Sequence, residues 1–245
     1  MDFRKIENIS VDCVILTLGE AGMEVLLRKR KLKLFEANQP DIDDWTVIGD
    51  QVLNSEKLDL AADRIFNQAA TYNNPYKKQF KTFGSPERIH NEQDIIFLQS
   101  KGLKHRIISV AYYFLVSKEV IKIAKDTKWH SVLALPKLGF DHEKIIRRAL
   151  EDLKIKATTT PIIFHLIQDK FTLNDLHFAY ESLLNIEIDN RNFRKKALNK
   201  TYIVPLAEKR AIKGAKKPAK LYMFSHDIYK KLADDTQANY LNFSF

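Results

Sequence analysis

The stretch that decides the fold is FTLNDLHFAYESLLNIEIDNRNFRKKALNK, residues 171–200. Thr172 is placed to cap a first helix, and Asp175 follows three positions later, which is the spacing of a capping box with Asp in place of Glu. A turn is expected at 185–187, and Asp189 after it is a second favourable N-cap residue. Two helices joined by a short turn predict a helix-turn-helix.

A hairpin is predicted directly after the second helix. The segment TYIVPLA (201–207) is typical of a strand, EKRAIKGAKKP (208–218) of a Lys/Gly-rich tip, and AKLYMF (219–224) of the returning strand. A hairpin in this position is the wing of a winged helix. In the second helix, Phe193 and Leu198 are expected to face the domain interior.

The net charge is concentrated in this part of the chain. Residues 189–220 hold eleven basic and two acidic side chains, a net charge of +9, which equals the net charge of the whole chain. Such clustering favours a polyanionic partner. Two alternatives stay open: a merely solvated charged surface, and a patch for RNA or anionic lipid. The second lacks the interleaved aromatic residues that single-stranded nucleic acids require.

Helix and wing have different predicted roles on double-stranded DNA. Arg and Asn side chains of the second helix would reach base edges in the major groove, whereas wing Lys and Arg side chains would neutralise phosphates and release counterions. The predicted DNA-binding residues are Thr172, Arg191, Asn192, Arg194, Lys195, Lys196, Lys209, Arg210, Lys213, Lys216, Lys217 and Lys220.

The N-terminal part alternates strands with helices. Residues 9–31 predict a hairpin with a turn at Gly19-Glu20-Ala21-Gly22, and further strands are expected at 77–83 and 105–116. The intervening segment 84–104 is long for a loop and is expected to hold a short helix or a mobile lid.

A helix is predicted from Asp141, as N-cap, to about residue 150. The segment KATTTP (156–161) is expected to end it, because β-branched residues there precede a proline. We place the domain boundary after residue 157. For Asp141 and His142, capping is the favoured interpretation over acid–base chemistry.

The stretch WTVIGDQVLNSEKLDLAADRIFNQAATY, residues 45–72, predicts a strand, a loop and a helix. It resembles a Nudix box, whose frame is kept by Trp45, Gly49, Val52, Glu56, Leu58, Ala61, Ala62 and Arg64. Where the box has its glutamate cluster, this chain has Ile65, Gln68 and Ala69, and Asp50 replaces the second loop glycine. Ile and Ala cannot ligate Mg²⁺, so the resemblance implies a Nudix domain without hydrolase activity.

The resemblance extends beyond the box. HRIISVAYYFLV (105–116), LGFDHEKIIRRAL (138–150) and the segments of 171–224 are similar to the Nudix-related transcriptional regulators of the NrtR/AraR type. It implies a homodimer whose winged helices bind a palindromic operator and whose Nudix domain binds a small effector. The predicted fold class is α+β: a Nudix-like α/β/α sandwich with a mixed sheet (1–157), followed by a winged helix-turn-helix domain (158–245).

The resemblance implies an ADP-ribose-like nucleotide or a sugar as effector, and we expect the sugar slightly more, because lost carboxylates should weaken diphosphate binding. Arg30, Arg106 and Tyr112 are predicted to border the effector cleft. Two rival functions stay open. One is a residual hydrolase of nucleoside diphosphate derivatives that uses Glu56, and the other is a constitutive DNA-binding protein. Whether the regulator represses or activates is left open.

Composition limits the remaining classes. The only cysteine, Cys13, lies in an apolar run, which excludes a disulfide framework and fits a reducing compartment. The N-terminus lacks the pattern of a signal peptide, and no stretch approaches the ~20 apolar residues of a membrane span. The seven histidines lack metal-ligand spacing. We expect a cytoplasmic protein without a metal, a cofactor or a membrane partner.

Overall fold

The computed structural model describes residues 5–33, 41–104, 106–212, 214 and 217–234. They divide into two compact units, taken separately below. The first comprises the described residues up to Thr17, together with Met23–Val116 and Val120–Leu150; the second comprises Leu18–Gly22, Ser117–Glu119 and the described residues from Glu151 onward.

A mixed sheet forms the centre of the first unit. Its strands are β1 (Lys5–Gly19), β2 (Gly22–Leu32), β3 (Ile42–Thr46), β4 (Ile48–Leu53), β6 (Tyr76–Phe83), β7 (Ile108–Leu115) and β9 (Thr127–Ser131). The order is β3-β2-β1-β7-β6, with β4 also on β1 and β9 also on β2. The β1 and β7 strands run parallel. The predicted hairpin and mixed sheet are confirmed.

Helix α1 (Leu58–Ala69) packs on this sheet. Its buried face includes Ala62 and Phe66, and the Phe66 ring stacks on Phe114 of β7 with centroids 4.6 Å apart. Cys13 of β1 lies fully buried beneath it, with its thiol 3.7 Å from the Ala62 carbonyl oxygen. Burial raises the pKa of the Cys13 thiol well above its usual value. The apolar run around Cys13 is therefore core.

Two short strands, β5 (Ala70–Thr71) and β8 (Lys122–Ile123), form a small separate antiparallel sheet. The segment 84–104 forms a 3-10 helix, Pro86–Arg88, and helix α2 (Glu92–Ser100). The Asn91 side chain caps α2 by accepting a hydrogen bond from the Gln93 amide. The short-helix alternative for this segment is thus what the structure contains.

Helix α3 runs from His142 to Thr159, so it continues past residue 150 and ends within 156–161, the segment expected to end it. In its last turn the Thr158 hydroxyl donates to the Ile155 carbonyl at 2.8 Å, and just after its end Thr160 Oγ1 donates to the Lys156 carbonyl at 2.8 Å. The boundary placed after residue 157 therefore falls inside α3, whose residues up to Leu150 belong to the first unit.

The second unit is a winged helix. After the 3-10 helix Ile162–Leu166 come β10 (Lys170–Phe171), α4 (Leu173–Leu184), α5 (Asn190–Leu198), β11 (Ile203–Arg210), β12 (Ala219–Phe224) and α6 (His226–Asp234). The three strands form an antiparallel sheet in the order β10-β12-β11. The α+β fold class is confirmed, with a mixed-sheet domain followed by a winged helix.

An aromatic cluster fills this unit. Phe164 stacks on Phe224 at 4.5 Å between ring centroids, and Tyr202 packs edge-on against Phe224 at 5.7 Å. On α5, Phe193 is fully buried as expected, but Leu198 is 56% exposed. Ala197, one turn after Phe193, takes the inward position instead. The inward assignment of Leu198 was wrong by one residue.

No helix within the described residues is both long and apolar enough to span a membrane.

Candidate functional site

Helix α5 presents a basic face. The Asp189 carboxylate caps it by accepting a hydrogen bond from the Asn192 amide at 2.8 Å, and Phe193 with Ala197 anchors the opposite face. The predicted base-reading and phosphate-binding side chains of this helix are all exposed: Arg191, Asn192, Arg194, Lys195 and Lys196. The structure therefore brings these five residues together on one short helix, as predicted.

Contacts with α4 fix the position of α5. The His177 ring packs edge-on against Phe193 at 4.9 Å, and its Nε2 lies 2.8 Å from the Ile188 carbonyl oxygen in the turn. Arg194 Nη1 donates to Asn174 Oδ1 of α4 at 2.9 Å. These contacts fix how the exposed side chains project.

Thr172 has a structural task. Its hydroxyl accepts a hydrogen bond from the Asp175 amide at 3.1 Å, and Asp175 Oδ2 accepts one from the Thr172 amide at 2.8 Å, which completes the predicted capping box. Thr172 is only 3% exposed. The structure thus places Thr172 apart from the exposed basic side chains with which it was grouped.

The wing strands carry the exposed side chains Lys209 and Lys220, and Lys217 is exposed between them. Lys213 and Lys216, also predicted to bind DNA, lie outside the described residues. The described lysines of the wing are therefore placed to meet a polyanion.

Arg210 is half-buried and occupied by protein groups. Its guanidinium donates to Asp175 Oδ2 at 2.9 Å, to Gln168 Oε1 at 3.0 Å and to the Lys170 carbonyl. A second link joins Lys170 Nζ to Glu208 Oε1 at 2.7 Å. Arg210 thus ties the loop end of β11 to the start of α4. Because Arg210 lies in the basic run of the sequence, it was predicted to bind DNA and this structural role was missed.

In the Nudix-box region, Arg64 of α1 pairs with two acidic side chains, Glu56 and Asp50. It lies 2.8 Å from Glu56 Oε1 and 3.2 Å from Asp50 Oδ2, and it donates to the Gln51 carbonyl at 2.9 Å. Glu56 Oε2 also accepts a hydrogen bond from the Leu53 amide. The Arg64 guanidinium holds the pKa of Glu56 below its usual value. Glu56 is therefore an ion-pair partner that shapes the loop.

A cavity of about 660 Å³ opens beside this region in the first unit. Its apolar wall comes largely from 84–104, and basic, acidic and imidazole groups line the rest. The lining residues are Ser10, Asp12, Arg28, Lys29, Arg30, Lys31, Thr46, Val47, Gly49, Asp50, Gln51, Arg88, Ile89, Phe97, Leu98, Lys101, Leu103, Ile107, Phe140 and His142.

Arg30 lines the cavity but is committed to its neighbours. Its guanidinium pairs with Asp44 at 2.6 Å and with Asp94 of α2 at 2.7 Å, and it packs on the rings of both Phe97 and Phe140, 4.9 and 4.6 Å from their centroids. Arg30 is 4% exposed, so a salt bridge pins the inserted helix to the sheet. Its charge is largely compensated before any ligand arrives.

The other two predicted effector residues lie elsewhere. Arg106 is exposed, precedes β7 and does not line the cavity. Tyr112 belongs to the core, where its hydroxyl donates to Gln79 Oε1 at 3.1 Å and burial raises its pKa to about 12. Among the three residues predicted from the sequence, the structure places only Arg30 at the cavity.

Residues that sequence reasoning missed line the same cavity. Arg88 pairs with Asp141 at 2.6 Å and lies 3.8 Å from Asp12, which accepts a hydrogen bond from Ser109. Asp141 stands at the predicted N-cap position of α3, where its carbonyl oxygen accepts a hydrogen bond from the Ile145 amide at 3.2 Å, and its carboxylate pairs with Arg88. The only local signal was the position of Arg88 inside an unusually long connection.

The comparisons with known proteins agree with this architecture. A sequence model described as the NrtR DNA-binding winged helix domain matches residues 163–224. The chain is 24% identical over 229 residues to the ADPR responsive transcriptional repressor NtrR of Acinetobacter baylyi, covering 90% of this chain and 83% of the relative. It is 26% identical to Shewanella oneidensis NrtR, solved with a 27mer DNA, with a TM-score of 0.70 over 91% of this chain and 96% of the other.

Residues 163–224 thus match the NrtR winged helix, and the chain as a whole is similar to Nudix-related regulators of the NrtR type.

A MutT/nudix family protein from Enterococcus faecalis is 19% identical, with a TM-score of 0.62 over 90% of this chain and 87% of the other. This likeness extends the shared fold beyond NrtR proteins. The present chain combines the winged helix with a Nudix-like domain that has Ile65, Gln68 and Ala69 at the positions of the glutamate cluster of a Nudix box.

Proposed function

We propose that this chain is a transcriptional repressor that binds double-stranded DNA through α5 and the wing, and that an ADP-ribose-like nucleotide in the first-unit cavity controls this binding without being hydrolysed. The observation that carries the proposal is the exposed basic face of α5, in the domain that matches the NrtR winged helix. We propose a homodimer on a palindromic operator, with half-sites about one helical turn apart.

Residue placement supports the DNA-binding part. The second helix of a helix-turn-helix enters the major groove, where Arg and Asn read base edges. Arg191, Asn192 and Arg194 stand in the first turns of α5 and are exposed, while the interior side of the helix is closed by Phe193. The Shewanella oneidensis relative, crystallised with DNA, covers both units.

Cavity chemistry supports a nucleotide effector. A volume of about 660 Å³ lies within the ~300–1,000 Å³ range of small-molecule sites. Arg28, Lys29, Lys31 and Lys101 line the cavity, and Lys31 and Lys101 are exposed, so a diphosphate would meet cations without a metal. We therefore propose a nucleotide effector in place of the sugar, which had been slightly preferred because lost carboxylates should weaken diphosphate binding. The Acinetobacter baylyi relative is named as ADPR responsive.

The proposal of binding without hydrolysis rests on the box. Glu56 contacts Arg64 and the Leu53 amide. Ile65 and Ala69 stand where a Nudix box has metal-binding glutamates. In the described part of the chain, no three His, Cys, Asp or Glu residues are grouped so that they could hold a metal ion. The carboxylates of Glu56 and Asp50 both pair with Arg64, which opposes the metal binding that Nudix hydrolysis needs.

The first experiment selects sequences from a randomised duplex pool at moderate salt with the purified full-length protein. We expect enrichment of a palindrome that Arg191→Ala/Arg194→Ala loses, because both arginines project from the reading helix. A matched control is Lys144→Ala/Arg147→Ala, which removes the same charge from exposed positions on α3. An equal loss of palindrome enrichment in both variants would mean that the protein attracts DNA only through its overall charge.

The second experiment adds ADP-ribose to the complex with the selected duplex. Release or strengthening of the complex supports effector control, whereas an unchanged affinity indicates a constitutive DNA-binding protein. Incubation with Mg²⁺ and ADP-ribose should give no AMP. AMP formation that Glu56→Gln abolishes would establish the rival hydrolase instead.

A further inference from the structure

Two polar side chains of the cavity each have one hydrogen-bonding atom that the surrounding protein groups do not use. Asp12 of β1 and His142 at the start of α3 are 5% and 6% exposed, and both line the cavity. An unused donor and an unused acceptor that are accessible from a cavity are available to a ligand.

The tautomer of His142 follows from its backbone partner. Its Nδ1 accepts a hydrogen bond from the Val47 amide at 3.1 Å, so Nδ1 carries a lone pair. Burial lowers the pKa of His142, although Asp12 and Asp141 oppose the effect, so the ring is neutral and Nε2 carries the hydrogen. Within the described ranges, no side-chain or backbone acceptor takes this Nε2–H.

Asp12 supplies the complementary acceptor. One carboxylate oxygen, Oδ2, accepts the Ser109 hydroxyl and lies 3.8 Å from Arg88 Nη2. The other oxygen, Oδ1, packs over Gly49, where a Cβ would overlap it, and no donor from the residues the structure describes satisfies it. Gly49, which belongs to the frame of the Nudix-box resemblance, therefore leaves the space that the Asp12 carboxylate occupies.

We infer that the His142 Nε2–H group and the Asp12 carboxylate bind a sugar hydroxyl of the effector, an assignment that rests on the proposed nucleotide-binding function of the cavity. A hydroxyl both accepts and donates a hydrogen bond, so it matches a cavity that offers a neutral imidazole N–H and a carboxylate. A phosphate group would only accept and would be repelled by Asp12. The diphosphate belongs beside the cationic side chains that line the same cavity, Lys31 and Lys101 among them.

This pair adds selectivity to the cavity. A ligand without the hydroxyl leaves a buried donor and a buried acceptor unpaired on desolvation, which is the strongest way for a site to reject an analogue. Lysines alone would accept any diphosphate. Asp12 and His142 would therefore restrict the response to a sugar-bearing nucleotide.

The test measures ADP-ribose binding by calorimetry with the full-length protein. His142→Asn keeps an acceptor in the position of Nδ1 for the Val47 amide but removes the donor to the cavity. We expect its affinity for ADP-ribose to fall about 10- to 100-fold, while its affinity for inorganic diphosphate changes less than about twofold. His142→Gln, which keeps a donor in the position of Nε2, should retain most of the affinity.

Control and contrary outcomes are distinct. His130→Asn, a histidine of the same unit outside the cavity lining, should bind both ligands as the wild type does. Equal ADP-ribose affinity in wild type and His142→Asn would overturn the inference and leave the proposed function intact. An equal loss for ADP-ribose and diphosphate would also overturn it, since His142 would then contact phosphate. A wild type that binds neither ligand would remove the nucleotide-effector proposal itself.

Should His142→Asn prove unfolded by circular dichroism, Asp12→Asn serves as the second variant. The amide keeps the shape and one acceptor oxygen but loses the charge, so ADP-ribose affinity should fall while diphosphate affinity stays equal or rises. An ADP-ribose affinity that does not fall would overturn the inference.

Discussion

The cavity and the recognition helix use the same residue type in opposite ways. Arg30 and Arg88 of the first unit are buried and paired with aspartates at 2.6 to 2.7 Å. Arg191 of α5 is exposed, and the exposed Arg194 donates to the neutral side-chain amide of Asn174 on α4. A buried paired arginine holds a wall in place, whereas an exposed one is available to a polyanion. Burial, rather than residue type, separates the structural cations from the DNA-binding ones.

Arg30→Met should give the largest effect on stability and tests whether a buried paired arginine is structural. The change leaves Asp44 and Asp94 buried without their cation, so the free energy of unfolding of the first unit should fall by about 3–5 kcal/mol. Urea denaturation followed by tryptophan fluorescence measures it, because Trp45 and Trp129 both lie in this unit.

Lys31→Met is the matched control, since Lys31 is exposed on the same strand and should change stability by less than about 0.5 kcal/mol. Equal effects of the two changes would mean that the Arg30 cluster contributes no more than a surface charge.

The wing offers the next largest effect. In Lys209→Ala/Lys217→Ala/Lys220→Ala, three exposed cations are lost, so the slope of log affinity against log salt should become shallower by about 2.7. Affinity for the operator at 0.15 M salt should fall on the order of 100-fold. Fluorescence anisotropy over a salt series measures both.

Sequence preference separates the wing from α5 in this experiment. The wing variant should still prefer the operator over scrambled DNA by the wild-type ratio, because phosphate contacts carry no sequence information. A collapse of that ratio would assign base reading to the wing.

Thr172→Ala gives a smaller effect and decides between two roles. Loss of the capping box should lower the unfolding free energy of the second unit by about 1 kcal/mol, and DNA affinity of the folded protein should stay within about twofold. Thr201→Ala, an exposed threonine of the same unit, is the control. A drop in operator affinity at unchanged stability would support the predicted DNA contact by Thr172.

Arg147→Ala should have the smallest effect. Arg147 pairs with Glu143 one turn earlier on α3, and both side chains are largely exposed. Exposed pairs of this kind contribute about 0.3–0.5 kcal/mol. Thermal unfolding at low and high salt checks this, and a salt-independent loss above 1 kcal/mol would show that exposure does not separate the two classes of arginine.

Local features of the fold could be predicted from the sequence. The Thr172/Asp175 capping box, the Asp189 cap and the hairpin turn at Glu20-Ala21 all depend on residues within a few positions of each other. Their hydrogen bonds form within one turn, so residue types at fixed spacing suffice. The basic face of α5 followed from the same local periodicity.

The cavity could not be predicted in this way, because its contacts join distant segments. Arg88 and Asp141 are 53 residues apart, and Asp12 meets Ser109 over 97 residues. Tyr112 looked like a sugar contact on a border strand, yet the sheet directs it into the core. Arg210 was predicted to bind DNA as part of the wing, yet its guanidinium donates to Asp175 and Gln168. Only tertiary packing decides such partners.

Cys13 gives the protein a built-in reporter. It is the only cysteine of the chain, it is fully buried against α1, and burial suppresses its thiolate. Alkylating reagents should therefore modify it only when the first unit opens, so the labelling rate follows that opening alone. A second cysteine engineered on the exposed face of α5 could then carry a dye without removal of the native thiol.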